Sequence, residues 1–312
     1  MSFSFVVIPD TQIMAKHHPE SFAAMTRWIA EQAGPLRIRA VLHLGDVVDS
    51  GARSEREWEL ARNALGLIER RGIPLLIAPG NHDYDNLLAN DRSLTMFNRF
   101  FGAHRYAGAE WFGGSFEEDR AENVYARLNV DGTPFLVLAL EFGPRDEVLA
   151  WADDVLRRYP DHRAIVVTHC HMYIHGERSK PGDAHNPKTY PGAHGANDGE
   201  DLWQKCFRKH GNLIAVYSGH QVPAHVSYRI DRGDEGNLVF QSFQNWQEAP
   251  NGGDGRIRIV RFDIEGGTIG HSVFNPRTNR YETEDGFEVD IPFSETQQLS
   301  GRDWTTLRHP RL

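Results

Sequence analysis

"AVLHLGDVVDS", residues 40–50, is an apolar run that ends in a glycine and two aspartates. Read alone it is a buried strand whose last residues carry two negative charges, and carboxylates are seldom buried without compensation. A bound cation, a partner histidine or a helix cap would each supply it. Five further runs of the same kind occur: "FSFVVIPD" (3–10), "PLLIAPGNHD" (74–83), "PFLVLALE" (134–141), "AIVVTHCH" (164–171) and "LIAVYSGH" (213–220). Each is rich in β-branched residues and closes on polar or glycine-containing sequence, as buried strands do.

Between the runs lie helical stretches, "ESFAAMTRWIAEQA" (20–33), "EREWELARNALGLIERRG" (55–72) and "VLAWADDVLRRYP" (148–160). In the second, Trp58, Ala61, Leu65 and Ile68 recur at helical spacing and face a core, and Gly72 ends it. Strand–helix alternation predicts an α/β fold with mainly parallel strands in the first half. The last third, with "NLVFQSFQNWQ", "GRIRIVRFDIE" and "TIGHSVFNP", reads as strands joined by turns. We expect one domain over 1–312, with residues 230–290 completing a second sheet and 291–312 forming a C-terminal tail.

Composition narrows the function. Hydrophobic residues make up 40% and charged residues 25% of the 312, an ordinary globular balance. A formal net charge of −9 argues against nucleic acid as partner. No run approaches the length of a membrane span. Cys170 and Cys206, the two cysteines, are too few for a disulfide framework or a cysteine-based zinc site. A cytoplasmic location is the simplest expectation.

The strand ends carry the chemistry: Asp10 and Gln12; Asp46 and Asp49; Asn81, His82 and Asp83; His169 and His171; His220. In open α/β sheets ligands bind beyond the carboxyl ends of the strands. Singly, Asp10 or Asp46 reads as a turn or helix cap and His169 as a hydrogen-bonded core histidine. Jointly they are hard to explain by caps.

These blocks, "DTQ" (10–12), "GDVVD" (45–49), "GNHD" (80–83), "THCH" (168–171) and "SGHQ" (218–221), follow one another in the order of the calcineurin-like metallophosphoesterase superfamily, which the chain resembles. The resemblance implies an α/β/β/α sandwich of two mixed sheets flanked by helices, with two metal ions at the strand ends. It implies Asp46 as the bridging carboxylate, Asp10 at the first metal, and Asn81, His169 and His220 at the second. Gln12 is expected at the first metal either as a ligand through its amide oxygen or as a hydrogen-bond partner of a metal-bound water. It also implies His82 as the group that stabilises the transition state or protonates the leaving oxygen, held by Asp49.

Two positions depart from the family pattern, and both belong to the first metal. Gln12 stands where histidine is usual, and Val222 stands where the last block would place its second histidine. An amide oxygen suits harder ions, so manganese is the expected metal, with magnesium, iron or zinc as options. His225, His171 or the His17/His18 pair are the candidate replacement ligands. Ser50 and Asp83 replace the arginine and glutamate of the Ser/Thr protein phosphatases, and Asp49 occupies the tyrosine position of purple acid phosphatases, which sets both branches aside. The expected enzyme is a phosphodiesterase acting on a small phosphate ester through metal-activated hydroxide, with His171, His225, Arg178 and Trp246 as candidate substrate contacts. A phosphomonoesterase, or a non-catalytic scaffold with a degenerate first site, are the alternatives.

Overall fold

Strand β1 (Ser2–Ile8) turns Phe3, Phe5 and Val7 to one face and Val6 and Ile8 to the other, and all five are buried. A strand apolar on both faces needs a layer on each side. The computed structural model, which describes residues 2–284 and 286–292, supplies those layers. β2 (Ile38–His43) and β3 (Leu75–Ile77) pair in parallel beside β1. The chain then builds a second sheet from β4 (Phe112–Ser115), β5 (Val124–Val130), β6 (Thr133–Leu140), β7 (Arg163–Thr168), β8 (Leu213–Ser218), β9 (Val226–Arg232) and β10 (Leu238–Gln244). Its order is β4-β5-β6-β7-β8-β10-β9, with β6, β7, β8 and β10 parallel.

β11 (Ile257–Asp263), β12 (Thr268–Asn275), β13 (Arg280–Glu282) and β14 (Val289–Pro292) return to the first sheet, where β11 pairs antiparallel with β1. The expectation that residues 230–290 all complete the second sheet is therefore corrected. They divide between the two sheets, because β1 has an open edge that an antiparallel strand can cover. The stretch 247–256, expected as a turn between strands, is instead the crossing from one sheet to the other. Apart from its first two residues in β14, the tail expected over 291–312 lies outside the described residues.

The sheets face each other through an aromatic cluster. Phe135 on β6 lies 5.7, 5.3 and 5.1 Å from Phe3, Phe5 and Phe262, ring centre to ring centre. Alternation along β6 puts Phe135, Val137 and Ala139 in this central layer and Leu136, Leu138 and Leu140 on the outer face. Helices cover both outer faces. α1 (Gln12–His17), α2 (Pro19–Gln32) and α3 (Glu55–Glu69) lie with the first sheet, Trp28 of α2 stacking on Phe274 of β12 at 4.2 Å. α4 (Thr95–Phe101) packs on α3 through Trp58 and Phe100, whose rings are 6.0 Å apart. α5 (Asp146–Arg158) and α6 (Gly199–Lys205) cover the second sheet with Val148, Ala152, Val155, Leu202 and Trp203. The four-layer α/β/β/α sandwich is the architecture expected from the sequence.

Candidate metal centre

Parallel strands of both sheets end at one edge of the sandwich, so the residues that follow them meet. Asp46 follows β2, Asn81 follows β3, His169 follows β7 and His220 follows β8. His169 Nε2 lies 3.1 Å from Asp46 Oδ2, 3.1 Å from Asn81 Oδ1 and 3.2 Å from His220 Nδ1. Nitrogen and oxygen ligands arranged tetrahedrally on one cation sit about 3.3 Å apart. Three donors from other strand ends therefore lie around His169 Nε2 at the separation of neighbouring ligands, and those of Asp46, His169 and His220 all lie within 4.8 Å of one another.

The backbone sets which ring nitrogens face that point. His169 Nδ1 donates to the Leu44 carbonyl and His220 Nε2 to the His185 carbonyl, each at 2.8 Å. The opposite nitrogen of each ring is thereby turned toward the shared centre, as an imidazole ligand requires. Asp46 (φ +49) and His220 (φ +76) both occupy the left-handed region, a conformation costing a residue with a side chain about 1–3 kcal/mol. Space is equally constrained: a Cβ on Gly80 would lie 2.2 Å from Asp46 Oδ1.

The charges hold one another. Burial opposes ionisation of Asp46, but His169, His82 and His220 outweigh it and keep the carboxyl below its usual range. Burial likewise opposes a charge on His169, and Asp46 and Asp10 overcome it, raising the imidazole to about 9. Burial, reinforced by His169, lowers His220 to about 3. Asp10 is less well compensated, and burial raises it to about 7 despite His169.

Asp10 accepts from the His220 backbone N–H and, at 2.8 Å, from Asn245 Nδ2. A Cβ on Gly219 would lie 2.2 Å from Asp10 Oδ1. Gln12 is buried and its Oε1 has no hydrogen-bond partner. A buried amide oxygen without a donor and an under-compensated carboxyl two residues away are both relieved by a cation, so the residues present fit a metal at this position also. Sequence reasoning missed Asn245. Its signal was the orientation of β10, which runs parallel to β8 and so delivers its last residues to the same edge.

His82 stands at the rim, partly exposed. Its backbone N–H donates to Asp46 Oδ1 at 2.8 Å, and its ring Nδ1 donates to the Asp49 carbonyl oxygen at 2.9 Å. The expected contact with the Asp49 side chain is thereby revised. That carboxylate is 3.6 Å from the ring and forms an ion pair with Lys16 of α1. Burial disfavours a charge on His82, but Asp46 and then Asp49 outweigh it and raise its pKa. Neither aspartate caps a helix; Glu57 accepts from the backbone N–H groups of Asp49 and Ser50. Asp83 ties the two blocks together, accepting from Val48 N and Gly80 N. Beside His82 opens a cleft of about 370 Å³ whose lining includes Ser50, Arg53, Tyr84, Asn86 and Leu88.

Several expected substrate contacts lie elsewhere. Arg178 is buried, paired with Glu200 and Asp231, bonded to Gln241 and stacked over Trp203. Its guanidinium is spent on holding the long loop over residues 172–198 to β9 and β10. His171 is buried against Phe207 with Nε2 on Gln241 Oε1 at 3.0 Å; β7 ends at Thr168, so the period-2 rule that would have kept it on the face of His169 no longer applies. Trp246 is buried against Phe287, away from the cleft lining. His225 reaches the centre only through Asn245, whose carbonyl its ring contacts at 3.3 Å. Lys188 of the same loop is paired with Asp198 and Asp201, and Asp198 caps α6.

The family model for calcineurin-like phosphoesterases matches residues 3–224. Uncharacterized protein YvnB of Bacillus subtilis (strain 168) is 29% identical over 289 residues, 90% of this chain. The chain spans about a fifth of that relative's length, 21%. Among solved structures, a dimetal phosphatase from Danio rerio aligns over 94% of this chain and 99% of its own at TM-score 0.57 and 12% identity. GAP50, the anchor in the inner membrane complex of Plasmodium, aligns over 94% and 90% at TM-score 0.50 and 8% identity. Both likenesses concern the fold.

Proposed function

The chain belongs to the calcineurin-like phosphoesterase family, and on that footing we propose that it is a metal-dependent phosphodiesterase acting on a small phosphate ester. The observation that carries this reading is the convergence of Asp46, Asn81, His169 and His220 on one point, with His82 held at the edge of an adjoining cleft. We assign Asp10, Gln12 and Asp46 to a first divalent ion and Asp46, Asn81, His169 and His220 to a second, manganese being the ion of choice for this mixed oxygen and nitrogen set. Such a pair of ions, when bound, supplies Lewis-acid stabilisation of phosphoryl oxygens and a water of lowered pKa.

His82 supplies the proton. With Nδ1 committed to the Asp49 carbonyl, Nε2 is the nitrogen left for substrate, and the Asp49 carbonyl and carboxylate beside the ring favour its protonated form. That proton goes to the departing alkoxide. The cleft beside it has room for a small alcohol portion. A diester is favoured over a monoester because positive charge for a second phosphate oxygen is scarce. Arg178, Lys180 and Lys188 are all engaged by carboxylates, and the cleft lining holds a single arginine, Arg53. Both cysteines are free, in keeping with a reducing compartment such as the cytoplasm.

The test pairs metal content with turnover of a chromogenic diester and monoester after Mn²⁺ reconstitution. His82→Ala is expected to lower diester turnover about 10²–10⁴-fold with its metal retained. Asp46→Asn is expected to lose metal and turnover together. Equal metal loss in both variants would sink the assigned roles. A second reading, a non-catalytic scaffold, draws on the two missing imidazoles at positions 12 and 222 and on a structural neighbour described as an anchor. Absence of turnover under every divalent ion tried would favour it.

A further inference from the structure

Helix α6 stops one residue before Cys206, whose φ of −133° and ψ of −66° leave the helical region, and a short 3-10 turn at Phe207–Lys209 follows. The break brings Cys206 Sγ to 3.8 Å from Nε2 of His210. The same nitrogen lies 3.0 Å from Oδ1 of Asp153 on α5. The three donor atoms are all within 4.8 Å of one another. We propose that Asp153, Cys206 and His210 form a separate mononuclear site for Zn²⁺ or another thiophilic divalent cation.

Geometry separates this cluster from the common alternatives. In a nucleophilic Cys–His–Asp relay the thiol and the carboxylate bond opposite ring nitrogens. Here both approach Nε2, so the three groups converge on a point instead of forming a chain. A tetrahedral zinc with bonds of about 2.3 Å to sulfur and about 2.0 Å to nitrogen and oxygen separates its ligands by about 3.6 Å (S to N) and about 3.3 Å (N to O). The observed 3.8 and 3.0 Å need shifts of only a few tenths of an ångström.

Charge fits as well. A thiolate, a carboxylate and a neutral imidazole sum to −2, which a divalent cation cancels, as a buried site requires. Cys206 and His210 are buried, while Asp153 is partly exposed, so the cluster lies at the edge of the core. Arg157 pairs with Oδ2 of Asp153, which leaves Oδ1 directed at the cluster.

The location sets it apart from the phosphoesterase centre. His210 precedes the start of β8, whereas His220 follows its end, so the length of that strand, about 20 Å for six residues, lies between them. A structural metal here would clamp α5 to the segment that enters β8, without touching substrate.

Titration of the metal-stripped full chain with Co²⁺ tests the assignment. The expected result is a thiolate-to-cobalt charge-transfer band in the near ultraviolet that saturates at one equivalent. It persists in Asp46→Asn and in Cys170→Ser and is lost in Cys206→Ser. Asp153→Asn, a change at a partly exposed position that preserves shape, is expected to weaken Co²⁺ binding more than about tenfold. A titration of folded protein that shows no band overturns the proposal. So does a band that survives Cys206→Ser, or an affinity unchanged in Asp153→Asn.

Discussion

Gly219 carries no side chain, yet it controls the position of the Asp10 carboxylate. Its Cα approaches Asp10 so closely that an added methyl would sit 2.2 Å from the carboxylate oxygen. Gly219→Ala is therefore expected to displace Asp10 and cost at least one bound metal per chain. Gly80→Ala, which meets Asp46 at 2.2 Å, is expected to cost both. Atomic absorption on the purified variants checks this, and a Gly219→Ala protein with two metals would show that Asp10 is no ligand. At the same scale Gln12 was legible as a departure from the family pattern. That its oxygen is buried without a partner was not, since burial is a property of the packed chain.

Elements reach the centre in pairs, and polar ties hold them there. The long loop over residues 172–198 is fastened by Arg178, which links Glu200 at the start of α6 to Asp231 on β9. Removing the guanidinium leaves Gln241 and Asp231 short of a donor. Arg178→Ala is expected to destabilise by about 1–3 kcal/mol, discounted for the partial exposure of both carboxylates, with kcat/KM for the diester unchanged. Urea unfolding and steady-state kinetics read the two effects separately. Burial works against the charge of Asp231, but Arg229 and Arg178 outweigh it and depress the carboxyl. A depressed folded-state pKa contributes stability that is present above the unfolded value of about 3.9 and lost as pH falls through the folded one. The gap between wild type and Arg178→Ala should therefore shrink below about pH 4. A drop in kcat/KM without loss of stability would instead return Arg178 to the substrate.

For the molecule as a whole, the two sheets are joined by the cluster of Phe3, Phe5, Phe135 and Phe262, well inside the sandwich. Phe135→Ala should cost about 3–5 kcal/mol while the folded variant keeps its metal content and turnover, since the strand ends are held by their own loops. Loss of metal in a variant that remains folded would mean that the layers, more than the loops, position the centre.

The residues that end the parallel strands, and the helices between them, were readable from sequence because period, β-branching and glycine placement are local properties. Those rules led to an α/β fold and to the strand ends that carry Asp10, Asp46, Asn81, His82, His169 and His220, while the four layers followed from the resemblance of these blocks to the calcineurin-like family. Where β11 pairs, why Asn245 reaches Asp10 across 235 residues of chain, and which carbonyls orient His169 and His220 were decided only in the tertiary structure. So was the meeting of Cys206 with Asp153 of another helix. A strand's pattern states that it is buried but not beside which partner. That choice depends on the open edges and orphan polar groups left once the other layers have packed.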